Sequence, residues 1–237
     1  MAQTESPMTE SARGRRPRRR RGRRLVTLAA AAVALFAVNA ATAGAKVHTI
    51  HVEFNDAVAN LGTLKGSQLL DPSVPDPPAT LDGTIDRGLR GPYTVQPEDF
   101  VFPSKTFNDV LVPGLNVTVG LSTDQPITGR INPGTGALTA DMSLNTDIAL
   151  SGILTASCHL TGAPLSLATS GQLVNDTDPS NPVTFDGAMF APPAKEGAVV
   201  GLWDSLPPLT GDPICGVVNS TIAGPGGIWL AGTANVR

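Results

Sequence analysis

The chain has 237 residues, with 17 basic and 20 acidic side chains and a formal net charge of −3. Aromatic residues make up only 4%, while Gly and Pro number 25 and 21, so long helices are disfavoured and short strands joined by turns are favoured. A hydrophobic fraction of 41%, much of it in alternating patterns, excludes a wholly disordered chain.

The charge is unevenly placed. Nine of the twelve residues from Arg13 to Arg24 are arginine. Leu25 to Val38 follows without a charge, with Thr27 as its one polar side chain. "NAATAGA" then supplies small residues that fit a cleavage site. The order basic, apolar, small predicts a secretory signal peptide over residues 1–45, with cleavage after Ala45 preferred to cleavage after Ala43. A phosphate-binding basic arm would instead lead into a folded domain or a polar linker. The apolar run is also short of the roughly twenty residues a membrane span needs. "RRLV" partly matches a twin-arginine export signal, which leaves the export route open.

From Lys46 onward eight basic residues face eighteen acidic ones, a net charge of −10. Such a body repels nucleic acid and anionic lipid. The expected location is secreted or in the cell envelope, with membrane contact only through the leader before cleavage. Residues 46–237 suit a single domain. Export also gives Cys158 and Cys215 their meaning, because an even pair outside the cytoplasm predicts a disulfide. The competing reading makes Cys158 a nucleophile and His159 its base. It fails on a strand, where adjacent side chains point to opposite faces.

"KVHTIHVEF" (46–54) predicts the first strand, with His48, Ile50, Val52 and Phe54 on one face. "DPSVPDPP" predicts a loop, since each proline removes a donor and restricts φ. "ATLDGTIDRG" and "EDFVFPS" predict short strands. The middle of the chain is plainest. "GLNVTVGLS" aligns Leu115, Val117, Val119 and Leu121. "ITGRI" then leads through the turn residues "PGTG" into a long alternation that places Leu138, Ala140, Met142, Leu144, Ile148 and Leu150 on one face. This pattern predicts an antiparallel hairpin with one wet face.

"ILTASCHL", "PLSLATSG" and "PVTFDGAMFAP" predict further strands. "GAVVGLWDSLPPL" is expected to form one or two helical turns, and "ICGVVNSTI" with "GIWLAGTANV" the closing strand pair. Half-wet faces need a second layer. The expected fold is therefore all-β, an antiparallel β-sandwich or flattened barrel of about ten to twelve strands.

Several of these segments together resemble a loose group of exported actinobacterial all-β proteins of unassigned function. They are the G-x-I strand at Gly83–Ile85, the F-x-F-P segment at Phe100–Pro103, the hairpin turn from Gly129 to Gly136, and Cys158 ahead of the P-L-S-L strand at Pro164–Leu167. The similarity covers residues 79–237. It implies an all-β envelope or secreted protein and brings no catalytic residues.

Motifs for chemistry are scarce. G-x-S-x-G, P-loop, H-E-x-x-H, C-x-x-C and G-x-G-x-x-G patterns are all missing from the sequence. No catalytic residue and no cofactor is expected. His48 and His51 would fall on opposite strand faces. Cleavage after Ala45 would place His48 third from a free amine, a nitrogen set that suits square-planar Cu(II) or Ni(II). Asp176 and Asp178 head an oxygen-rich segment that could hold calcium, although the residues at Asn181 and Gly187 break the EF-hand pattern.

Asp82 and Asp86 flank "GTI" as a carboxylate pair of the kind a glycosidase uses. Asn116, Asn175 and Asn219 stand in glycosylation sequons, which have meaning only in a eukaryotic secretory route. Trp229 lies on the polar register of its strand, where it is expected to cover the disulfide or to serve as a contact. The functional expectation is a non-catalytic secreted or envelope structural or binding module, its partner an unidentified envelope component. The alternatives are a carrier of a lipid or other apolar small molecule, and a small extracellular hydrolase.

Overall fold

A computed structural model describes residues 47–237 except 63, 87, 110–112, 176, 177, 179, 193 and 194. The leader and Asp176 lie outside the described residues. Strand β1 (His48–Leu61) buries Ile50, Val52 and Phe54, the face read from the sequence. It runs further than expected because a bulge between Phe54 and Asp56 breaks the alternation. β2 (Leu64–Leu70), β3 (Ala79–Ile85) and β4 (Pro92–Val95) follow. A 3-10 turn, Pro97–Asp99, leads into β5 (Phe100–Val101) and β6 (Lys105–Asn108).

β7 (Leu115–Thr123), β8 (Ile127–Ile131), β9 (Leu138–Gly152) and β10 (Ala156–Ala168) form the centre of the fold. The turn between β8 and β9 is closed by Asn132, whose carbonyl accepts from the Gly136 N–H at 2.7 Å. Gly136 has φ +77, the region that glycine alone enters without strain. β10 joins two segments expected to be separate strands, since its ladder with β9 is only interrupted by a bulge between Leu160 and Ala163. β11 (Gln172–Asn175) and β12 (Val183–Asp186) form a small sheet of their own. The last elements are β13 (Glu196–Trp203), β14 (Thr210–Gly211), helix α1 (Cys215–Ile222) and β15 (Gly226–Val236).

The pairings close on themselves. From β1 they run through β3, β4, β8, β9, β10, β13 and β15 and return to β1, all antiparallel. Of the two expected architectures, this is the flattened barrel. Eight strands enclose a space that side chains can fill. Ile50, Val52, Tyr93, Val95, Ile127 and Leu138 do so, each 2% exposed or less. Burying one such isoleucine or leucine contributes about 1.5–3 kcal/mol.

Three long strands change partner along one edge. β1 pairs with β3 up to Phe54 and with β2 from Ala57. β9 pairs with β8 over Leu138–Asp141 and with β7 from Leu144. β10 pairs with β13 at Leu167 and Ala168 and with β14 at Cys158 and His159. The ring therefore parts into two sheets beyond these positions, and α1 packs beside the opening.

Two expectations are corrected. "ICGVVNSTI" is helix α1, because Cys215, Val218 and Ile222 fall at i, i+3 and i+7 and bury one helical face. "GAVVGLW" is strand β13, whose consecutive buried residues Ala198, Val199 and Val200 conceal the alternation. The β11–β12 hairpin packs on its outer side, so both faces are covered. Fifteen strands are present among the described residues. Two of them have only two residues, too few for a period to show.

Candidate functional site

On the outer wall the ladder between β3 and β4 is short. It comprises Thr84↔Thr94 and Ile85↔Tyr93 and then stops. The chain detours through the 3-10 turn and returns as β5, which takes up β3 again at Leu81↔Phe100 and Thr80↔Val101. Asp82 and Gly83 lie in the gap between the two ladders. A cleft of about 490 Å³ opens over this gap. Its walls carry His51, Asp82, Gln96, Asp99, Asn235 and Arg237, with Thr49, Thr84 and Thr94 between them.

Register explains why these residues meet. His51 sits opposite Asp82 on one side and Asn235 on the other, while Thr49 sits opposite Thr84 and Thr84 opposite Thr94. The His51 imidazole donates from Nδ1 to Asp82 Oδ1 at 2.7 Å. Its Nε2 lies 3.9 Å from Glu53 Oε2. Lys195 Nζ donates to Asn235 Oδ1 at 2.9 Å, which fixes that amide and leaves its NH₂ group facing outward from the bond. The cleft thus combines carboxylate acceptors with amide, imidazole and guanidinium donors.

A second His–Asp pair serves as a comparison within the same molecule. His159 and Asp147 face each other across β10 and β9, with Nδ1 2.5 Å from Oδ1. No residue of this pair lines the cleft. Both pairs are well exposed, so each stabilises the sheet by at most about 1 kcal/mol. A cross-strand His–Asp contact on this surface is therefore not by itself a sign of catalysis. The surrounding cleft is what sets His51 apart.

A different space lies where the two sheets part. Leu61 and Leu64 face Phe107, Val117, Ile148 and Leu150 across it, with Val218 and Ile222 of α1 alongside. Ser67 and Thr221 are its polar members, and its volume is about 50 Å³. That is well below the 150 Å³ of an apolar cavity able to admit benzene.

The other sequence-derived candidates fall elsewhere. Cys158 and Cys215 are disulfide-bonded with Cα atoms 5.6 Å apart, and the bond ties β10 to the first residue of α1 rather than to a strand. His159 points away from that bond, as strand alternation requires. His48 Nδ1 lies 3.3 Å from the Arg237 carbonyl oxygen, so its placement is already tied to the end of β15. Lys46, which would supply the free amine, is outside the described residues.

Asp178 Oδ1 accepts from the Ser180 N–H at 2.9 Å and its carbonyl from the Asn181 N–H at 3.0 Å, an Asx turn within its own segment. Asp82 is engaged by His51, while Asp86 lies just beyond the end of β3. Trp229 does not cover the disulfide. Its indole packs on Phe185 with ring centroids 5.2 Å apart and donates to the Asp186 carbonyl at 2.9 Å, pinning the β11–β12 hairpin to the barrel.

The cleft was not singled out in the sequence because its residues come from five separate elements, β1, β3, β4, the 3-10 turn and β15. The outward positions Thr49, His51, Asp82 and Asn235 could be read from alternation, but which of them stand side by side could not. No protein-family model, curated protein or solved structure matches this chain.

Proposed function

We propose that the protein is an exported, non-catalytic binding module of the cell envelope or its surroundings. The observation that carries this reading is the Cys158–Cys215 bond, with both cysteines 2% exposed or less. Disulfides persist in oxidising compartments. The bond thereby agrees with the basic, apolar and small-residue order of the leader. The closed part of the barrel is filled by its own side chains, which directs binding to the outer wall or to the parted end. The net charge of −10 from Lys46 onward favours an uncharged or cationic envelope partner over nucleic acid.

The test is to isolate the protein from its producing culture, determine its first residue, and alkylate it under denaturation without reductant. A start at or near Lys46 and two protected thiols are expected. A chain beginning at Met1 with both thiols modified overturns the reading. Turnover in an esterase, glycosidase and protease panel, abolished by one side-chain replacement, would overturn its non-catalytic part.

A second reading, carriage of an apolar small molecule, is favoured by the slot between the parted sheets. Its walls are almost wholly aliphatic and aromatic. At about 50 Å³ the slot admits a chain end only, so carriage requires α1 or β6 to move aside. Native mass spectrometry of protein purified from its producing host decides this reading. A co-purifying lipid mass supports it, and a bare polypeptide mass rejects it.

A further inference from the structure

We infer that the outer-wall cleft binds an uncharged, hydroxyl-rich ligand, a saccharide. This inference rests on the reading of the protein as a binding module and names what it binds. The cleft volume of about 490 Å³ lies within the range of small-molecule sites, roughly 300–1,000 Å³. Its position is set by the fold. The 3-10 detour leaves Asp82 without a ladder partner on the β4 side, which opens the wall beside its side chain.

The chemistry of the walls selects the ligand class. Asp82 and Asp99 present carboxylates, which repel an anion. Arg237 brings a guanidinium into the same cleft, which offsets the attraction for a cation. Ile50 is the one hydrocarbon side chain among the lining residues, so ligand choice in the cleft would rest on its polar groups. Interleaved acceptors (Asp82, Asp99) and donors (Asn235, Gln96, Arg237) match the neighbouring hydroxyls of a sugar, each of which donates once and accepts once or twice.

Two of these groups are held in advance. His51 fixes Asp82 at 2.7 Å and Lys195 fixes Asn235 at 2.9 Å, which lowers the ordering cost of binding.

The test uses isotope-labelled protein titrated with cellobiose, maltose and lactose, and with glucuronate and spermidine as charged comparators. A parallel arm measures retention on insoluble neutral polysaccharide from bacterial cell walls, which separates recognition of a polymer from recognition of a free sugar. Amide shifts confined to residues 49–51, 82–84, 94–99 and 235–237 are expected with a neutral sugar or polymer. Asp82→Ala and Asp99→Ala should each weaken binding about tenfold or more, the size expected for a lost charged hydrogen bond. Asp147→Ala removes the other His–Asp pair and should leave binding unchanged. All three carboxylates are exposed, so the variants are expected to fold, and Asp99→Ala suffices if Asp82→Ala does not.

Shifts elsewhere, full binding by Asp82→Ala and Asp99→Ala, or tighter binding of glucuronate or spermidine overturns the inference. So does silence with every sugar and polymer, while the leader and thiol measurements still decide the binding-module reading separately. Cleavage of a bound sugar would keep the site and overturn the non-catalytic reading alone.

Discussion

Tyr93 lies directly opposite Gly129 across the β4–β8 ladder, and a Cβ on that glycine would stand 2.6 Å from the tyrosine ring. The same Cβ would strike the Thr139 carbonyl oxygen, the atom to which the Tyr93 hydroxyl donates at 2.8 Å. The bare glycine therefore makes room for the ring that seals this part of the barrel. Gly129→Ala is expected to cost about 2–3 kcal/mol, at the upper end for an added core methyl, because backbone rather than a soft side chain resists it. Urea unfolding measures it, and a cost below about 0.5 kcal/mol would contradict the packing described.

Alkaline unfolding should be governed by Tyr93. Burial foremost, and then the Asp141 carboxylate, push its hydroxyl above the ordinary value of about 10. The unfolded chain releases the proton near pH 10 while the folded chain retains it. The contribution to stability is complete below that pH and is lost as pH climbs toward the folded value, at up to about 1.4 kcal/mol per pH unit. Tyr93 is the one tyrosine in the sequence, so tyrosinate absorbance reports it cleanly. The signal should appear together with loss of structure. Titration near pH 10 in a chain that keeps its far-UV dichroism would rule this out.

Reducing the Cys158–Cys215 bond should lower stability by about 4 kcal/mol, given the separation of 57 residues and the chain-entropy relation. Hydrogen exchange should show the largest loss of protection in α1, which the bond anchors to β10. Equal unfolding midpoints for oxidised and reduced protein would mean that packing alone holds the helix.

Asn60 is 2% exposed and links three strands. Its Nδ2 donates to the Val174 carbonyl on β11, and its Oδ1 accepts from the Gly66 N–H on β2, both at 2.8 Å. Asn60→Ala strands both partners. A cost of about 2–3 kcal/mol is expected, since each deserted group loses its bond without regaining water. Exchange should rise first in β11 and β12. Uniform loss across the barrel would show that the hairpin is not the element Asn60 secures.

Hairpin anchoring offers a separate check at Trp229. Trp229→Phe keeps a ring against Phe185 but deletes the donor to the Asp186 carbonyl. A loss of about 1 kcal/mol is expected, with proteolytic cleavage between Gln172 and Asp186 becoming faster. Unchanged cleavage would place the hairpin's anchor elsewhere.

Local pattern alone determined the all-β class, the face that each central strand buries, the β8–β9 hairpin and the pairing of the two cysteines. These follow from the period of two, from turn residues with restricted φ, and from there being two thiols. The helix at Cys215–Ile222 and the strand at Glu196–Trp203 were misread for a common reason. Eight-residue segments carry little period, and covering the outer face of β13 removed the polar half of its alternation.

Only tertiary structure decided that the sheet closes, that its long strands change partner, and that a cleft opens where β3 lacks a neighbour. Register between strands far apart in sequence depends on the packing of the whole interior. Thus His51 and Asp82, 31 residues apart, become partners, while His48 and His51, three apart, point to opposite sides of one strand.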